Sequence, residues 1–422
     1  MEDLLGFTSI AIVSLITLLL ALRWPAVSRI LFIALAVRIS VILLGHYLVT
    51  LPDSDGDSKS FEGNAWWQSL YPDFNFNLPV SEQDLVPHSN FLSLFNYFEG
   101  PSAQFISFFL SIPYYFFGRS ILMGQSISLL LGIFSVFLGW KIATIIWDNQ
   151  IAKRAGWFMA LFPSLILYSS LIMKEAYICF FLLVALYGIV GWVKTDNLKS
   201  VIIALTGFTG AIFFHGSLIV GAIIFVLIFG FHNFKNIFIS LTKLRFNYKI
   251  FTFLLVFVVL SGLYVSNKIR VPYLGSFEAS TDIARLLHKT SINTRGETSW
   301  PEWLKINSPI EIIYKLPVRA IYFVFSPFPW DVKKNRHIVG MIDAFLYLFL
   351  SYLIFSNREA IWKDRTSRII LIILLSYIFV YAVGVGNSGT AIRHRSKFVI
   401  MFILLAAPMI KKFIFFKKTN KI

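Results

Sequence analysis

Apolar runs of about 20 residues recur along the whole chain, beginning with 4-LLGFTSIAIVSLITLLLAL-22 and 29-RILFIALAVRISVILLGHYLVT-50. Each matches the ~20 helical residues needed to cross the ~30 Å hydrocarbon layer of a bilayer. Only helices satisfy their own backbone groups in lipid over such lengths, so the runs predict an all-α polytopic membrane protein. Composition agrees: 57% of the residues are hydrophobic and 14% are charged. The net charge of +16 would suggest nucleic acid in a soluble chain. Here the basic residues fall in short connectors, as cytoplasmic loops of membrane proteins do, so no nucleic-acid partner is expected. The single cysteine, Cys179, excludes an internal disulfide. The N-terminus lacks the basic region of a cleaved signal, so the first run is expected to stay as a helix.

Six basic clusters set the expected topology: 23–29, 148–154, 194–199, 232–249, 357–368 and the tail 411–422. Placing all six in the cytoplasm gives about eleven spans, at 4–22, 29–50, 120–146, 156–173, 175–193, 200–214, 216–231, 250–266, 339–356, 368–384 and 397–411. Residues 1–422 then form a single transmembrane domain with large outer loops at 51–119 and 267–338. The runs 101–118 and 309–330 break the parity if they cross, so both are read as helices lying in the interface.

The outer face collects the chemistry. In 52-PDSDGDSKSFEGNAWW-67 a greasy chain surfaces with Asp53, Asp55 and Asp57 close together. Asp57, Phe61 and Ala65 are spaced four apart and line one face of a helix starting just after the carboxylates. Asp57 at its start serves equally as an N-cap or as a base taking a proton from a hydroxyl. Lys174 and Glu175, in 172-IMKEA-176, form a charged pair where one apolar run meets the next. Such a pair is either a functional site or an interfacial anchor. His215 lies at another outward turn. Arg393, His394, Arg395 and Lys397 put basic residues on the outer side, where arginine can hold phosphate bidentately. Arg38 and Asp343, inside apolar runs, are expected to pair and join two helices.

Two stretches carry a resemblance. One is Asp57 with its four-residue steps. The other is 118–176, with a helix, a basic turn, 161-LFPSLILYS-169 in the pattern LxPxxxxYS, and an acidic residue at the outer exit. Together they resemble the GT-C superfamily of membrane glycosyltransferases, which includes protein O-mannosyltransferases and the lipid A aminoarabinose transferase. The likeness covers residues 28–232; the C-terminal half matches in style only. It implies transfer of a sugar from a polyprenyl-phosphate-linked donor to an acceptor hydroxyl on a glycan, lipid or protein. The site would face the exterior of a bacterial cytoplasmic membrane. Juxtamembrane helices would lie in the first outer loop. The implied catalytic residues are Asp57, with Asp55 completing an Asp-x-Asp, and Glu175. Arg393, Arg395, Lys397, Lys174 and His215 would hold the donor phosphate. Asp55, Asp57 and Glu175 are the oxygen donors that would hold Mg2+ or Mn2+ if the reaction uses a divalent cation. The chain departs from the family in lacking an adjacent acidic pair after Asp57 and in its extra first helix. Two other functions fit the same residues: an oligosaccharide repeat-unit polymerase, and a flippase of lipid-linked sugars without chemistry.

Overall fold

The computed structural model of the chain describes residues 2–70, 103–242, 258–259, 261–268, 275–281, 298–332 and 335–410. Its regular structure among these residues is helical. The first half contains α1 (Glu2–Arg23), α2 (Ser28–Tyr47), α3 (Lys59–Ser69), α4 (Ala103–Phe117), α5 (Ile121–Ile146), α6 (Asn149–Leu161), α7 (Pro163–Ser169), α8 (Lys174–Thr195), α9 (Leu198–Phe214) and α10 (Ile219–Thr242). The second contains the single turn α11 (Phe277–Thr281), then α12 (Pro309–Phe325), α13 (Asn335–Ser356), α14 (Arg358–Lys363), α15 (Arg365–Gly384), α16 (Ser388–Arg395) and α17 (Val399–Ala406).

Among the described residues, six helices are long and apolar enough to cross a membrane: α1, α2, α5, α8, the stretch Gly216–Phe234 that includes most of α10, and α15. Shorter apolar helices lie at Phe105–Phe117, Leu198–Phe214 and Gly340–Ser356. Large side chains such as Leu22, Leu227 and Phe231 stay exposed on these helices, Phe231 by 87%. An apolar surface of this kind suits lipid contact and not water. The chain is a polytopic α-helical membrane protein.

Two expected spans turn out differently. The run 156–173 is broken. Pro163 lacks an N–H and begins a new helix, α7, after the extended Phe162. The break leaves carbonyls at the end of α6 without helical donors. Arg38 fills them: Nη1 donates to Ala160 O at 2.8 Å, Nη2 to Met159 O at 3.3 Å, and Nε to Ser169 Oγ at 2.8 Å. Arg38 therefore does not pair with Asp343; it caps a broken helix. The run 397–411 is also not one helix. Ser396–Phe398 is a 3-10 turn, and the fully buried α17 that follows has 8 residues, about 12 Å of helix. Broken helices are tolerated at membrane depth where protein surrounds them. The expected span 250–266 and the tail 411–422 fall largely or wholly outside the described residues.

Small residues set the closest packing. A Cβ on Gly188 would sit 2.3 Å from Ala204 N, and one on Gly207 2.3 Å from Ala185 N. The α8 and α9 backbones therefore touch, as helices in lipid do through small residues. The two stretches expected in the interface are short helices. The 15 residues of α4 reach about 22 Å, less than a bilayer core. Ile106, Leu110 and Tyr114 of α4 are buried, while Phe116 is exposed. A bidentate Arg119–Glu62 pair at 2.9 and 2.7 Å ties the neighbouring α3 to the start of α5.

Candidate active site

Four segments distant in sequence meet at the end of the bundle where α2 finishes and α8 begins. The first is the turn after α2. Asp53 takes a left-handed backbone, φ 65°, which aspartate tolerates better than most residues. An irregular turn, Ser54–Ser58, then brings Asp57 to the start of α3. Phe61 and Ala65 are buried beneath it, as their four-residue spacing predicts. The next residue fixes the register: Ser58 Oγ accepts the Ile172 N–H at 3.2 Å. That bond binds the first turn to the second segment, where α8 opens with Lys174 and Glu175. A carboxylate in the first turn of a helix is favoured by the helix dipole.

The third segment is α16. Arg393 joins the two carboxylates: one guanidinium nitrogen, Nη1, donates to Asp57 Oδ2, and Nε donates to Glu175 Oε1 at 3.0 Å. Lys397 Nζ lies 3.7 Å from the same Glu175 oxygen and within hydrogen-bond distance of His394 Nδ1, at 2.6 Å. Lys174, Glu175 and Lys397 are all buried. Lys174, Arg393 and Lys397 thus lie against Glu175 and Asp57, with Asp53 close by; Glu175 is withdrawn from water and its Oε2 has no hydrogen-bond partner, while Asp57 is half-exposed.

The fourth segment is the turn between α9 and α10. His215 Nδ1 is within hydrogen-bond distance of Ser217 Oγ, at 2.7 Å, and of Tyr381 Oη, at 2.9 Å. Its ring lies 5.2 Å from that of His394. Burial, reinforced by Lys397 and His394, holds the His215 pKa well below the ordinary imidazole value, so the ring is neutral. His215 belongs to the cluster's neutral polar lining and is not one of its charges.

Two expected site residues stand elsewhere. Arg395 is fully buried and faces away from the cluster. Its Nη2 and Nε donate to Asp343 Oδ2 at 3.0 and 3.2 Å, and Nη1 donates to the carbonyls of Val324 and Ser326 at 2.9 and 2.5 Å. Those donors are spent on protein, so Arg395 is a structural residue and does not reach a phosphate. Asp55 is exposed in the turn. Among the described residues, no group of three His, Cys, Asp or Glu side chains is placed to hold a metal ion. The donor set Asp55, Asp57 and Glu175 does not fit one, because the Arg393 guanidinium lies between Asp57 and Glu175.

Two further residues complete the site. Tyr168, in the LxPxxxxYS stretch, donates its hydroxyl to Asp53 Oδ2 at 3.1 Å. With Glu175, Arg38, Ser169 and Cys179 it also lines a cavity of about 20 Å³ beneath the cluster. Tyr381 packs at 4.9 Å from the His394 ring. The Tyr168 role was open to sequence reasoning through its motif; that of Tyr381, in the middle of an apolar run, was not.

Outside the cluster lies a cleft of about 760 Å³, walled by the 50–53 turn, residues 298–301, 327–331 and the start of α16. Its wall is well anchored. Ser299 bridges to Asn387, Trp300 N donates to Gly386 O at 2.9 Å, and Ser388 N donates to Thr298 O at 2.9 Å. Arg319 of α12 donates to Leu304 O at 2.5 Å and Ala382 O at 2.8 Å, clamping the same segments together.

Comparison of the chain with family models, with curated proteins and with solved structures found no match.

Proposed function

We propose that the protein is a membrane glycosyltransferase of GT-C type. It moves a sugar from a polyprenyl-phosphate-linked donor to an acceptor hydroxyl at the outer face of a bacterial cytoplasmic membrane. The observation that carries the reading is the cluster itself. Lys174, Arg393 and Lys397 gather at one end of the helix bundle against Asp57 and Glu175, with Asp53 beside them. An anion arriving there meets basic side chains already fixed in place, in surroundings where charge is screened little. The polyprenyl phosphate leaving group develops its negative charge at that moment of the reaction. Arg393, held by both carboxylates, is the positioned donor; Lys174 and Lys397 bring further N–H donors beside it. A carboxylate of the 53–57 turn takes the acceptor proton. The short helices α3, α4 and α12 flank the site and serve as its juxtamembrane collar. A repeat-unit polymerase performs the same chemistry with a longer acceptor.

Buried ionic groups along the bundle favour chemistry over passage. A flippase needs polar groups lining a route through the helices. Arg38, Arg319 and Arg395 are instead engaged by carbonyls, Ser169 and Asp343. The test is transfer from a radiolabelled polyprenyl-phosphate hexose pool in membranes containing the protein, with lipid extraction and product separation. Wild type should yield a labelled glycoside and release polyprenyl phosphate. Arg393→Ala, compared at equal amounts of folded protein, should lose both. Transport of the lipid-linked sugar with no bond cleavage would overturn the assignment.

A further inference from the structure

The cleft beside the cluster has a chemistry of its own. Its volume of about 760 Å³ lies within the ~300–1,000 Å³ of small-molecule sites. Among the described residues, its lining contains no basic side chain. It offers hydroxyls from Thr50, Thr298 and Ser388, carboxylates from Asp53 and Asp331, and the indole of Trp330. Trp330 is 71% exposed and stacks on Phe328 with the two ring planes 6° apart. Flat aromatic faces hold the C–H faces of sugar rings, and carboxylates and hydroxyls bond their ring hydroxyls. An anionic ligand would meet two carboxylates of like sign there. The cluster and the cleft therefore suit different halves of one reaction.

They are also adjacent. Ile392 lines the cleft while the next residue, Arg393, reaches Glu175 in the cluster. Tyr168 joins them from below, bonding Asp53 and sharing a cavity lining with Glu175. Asp57 Oδ2 is already engaged by Arg393, whereas Asp53 borders the open cleft. We propose that this cleft is the acceptor subsite, where a neutral sugar ring lies on Trp330 and its attacking hydroxyl gives its proton to Asp53. The proposal rests on the glycosyl-transfer reading above. In the step, the hydroxyl oxygen bonds to the donor's anomeric carbon, and its proton passes to the Asp53 carboxylate. The bond from that carbon to the phosphate oxygen breaks, and the electron pair leaves with the phosphate. The residue as a whole is exposed, yet withdrawal of its carboxyl from water raises the Asp53 pKa above the usual aspartate value, an effect that Arg393 and the Tyr168 hydroxyl oppose. A raised value suits a group that must hold the proton it takes.

The experiment uses the full chain in lipid nanodiscs and two probes read separately. Neutral methyl glycosides of glucose, galactose, mannose and N-acetylglucosamine, with methyl glucuronide as the anionic control, are followed by saturation-transfer NMR. Polyprenyl phosphate binding and labelled-sugar transfer test the underlying reading. At least one neutral glycoside should bind wild type. Trp330→Ala should weaken it by about tenfold. Asp53→Asn should bind it nearly as well and transfer about 10²–10⁴-fold more slowly. No neutral glycoside bound, equal binding by Trp330→Ala, or preference for the glucuronide would each overturn the subsite. Transfer that survives those results leaves the glycosyltransferase reading in place. Glycoside binding without polyprenyl phosphate binding or transfer removes that reading instead, and the catalytic role of Asp53 with it.

Discussion

Replacing Arg395 separates a structural cation from a functional one. The side chain is fully buried and Asp343 is 3% exposed. Arg395→Ala removes both bonds to Asp343 Oδ2 and those to the Val324 and Ser326 carbonyls. Leaving a buried charge without its partner costs about 3–5 kcal/mol. Each carbonyl stranded without a donor adds about 1–3 kcal/mol. These terms overlap, so a loss of about 5 kcal/mol is expected, comparable with the whole net stability of many domains. The assay is the amount of monodisperse protein recovered in detergent and its thermal midpoint by size exclusion after heating. Arg395→Ala should be scarce and melt early. Arg395→Met with Asp343→Leu removes both charges at similar volume and should recover most of the loss. Arg393→Ala leaves Lys397 3.7 Å from Glu175 and Asp57 open to water, so it should melt closer to wild type than Arg395→Ala does and fail in transfer. If Arg395→Ala accumulates and melts normally, its bonds are not structural and the residue returns to the site.

Three further outcomes follow from the geometry. Gly188→Val drives a side chain into the α9 backbone, where a Cβ already meets Ala204 N at 2.3 Å, and should cost at least ~1–3 kcal/mol in the same melting assay. Transfer should fall as pH drops through the raised Asp53 pKa, because only the deprotonated carboxylate takes a proton; the acid limb of kcat should therefore lie above the ordinary aspartate range, near 3.9, and vanish in Asp53→Asn. Arg119→Ala strips a bidentate partner from the buried Glu62, and should speed hydrogen exchange across Lys59–Ser69 while leaving α8 unchanged.

The class of fold was legible because hydropathy reports a large energy, the cost of unsatisfied backbone in lipid. Helix ends were less so. Pro163 was visible in the sequence, but nothing local says that Arg38, more than 120 residues earlier, supplies the donors that make the break affordable. The acidic turn, the Lys174–Glu175 pair and the basic stretch 393–397 were each visible as charges out of place in apolar surroundings. Their convergence was not, because it depends on long-range bonds such as Ser58 to Ile172. Spacing also could not separate Arg393 from Arg395. Two residues apart on a short helix, they point to different sides, one into the cluster and one into the protein.

That difference suggests how buried cations sort in this bundle. Arg38, Arg319 and Arg395 spend their donors on backbone carbonyls, with Ser169 or Asp343 completing the set. Such a residue repairs a helix end or pins a loop, and its fixed fork is well matched to carbonyls that the fold has stranded. Arg393 donates to two carboxylates from separate segments, and one of these, Glu175, keeps an oxygen without a partner. Asp57 can release the Arg393 Nη1 to a competing anion more readily than a stranded carbonyl can, because it is half-exposed and regains water when the pair opens, while Nε stays on the buried Glu175. Arg393 can therefore turn toward a phosphate without unmaking a helix. Arg395 cannot.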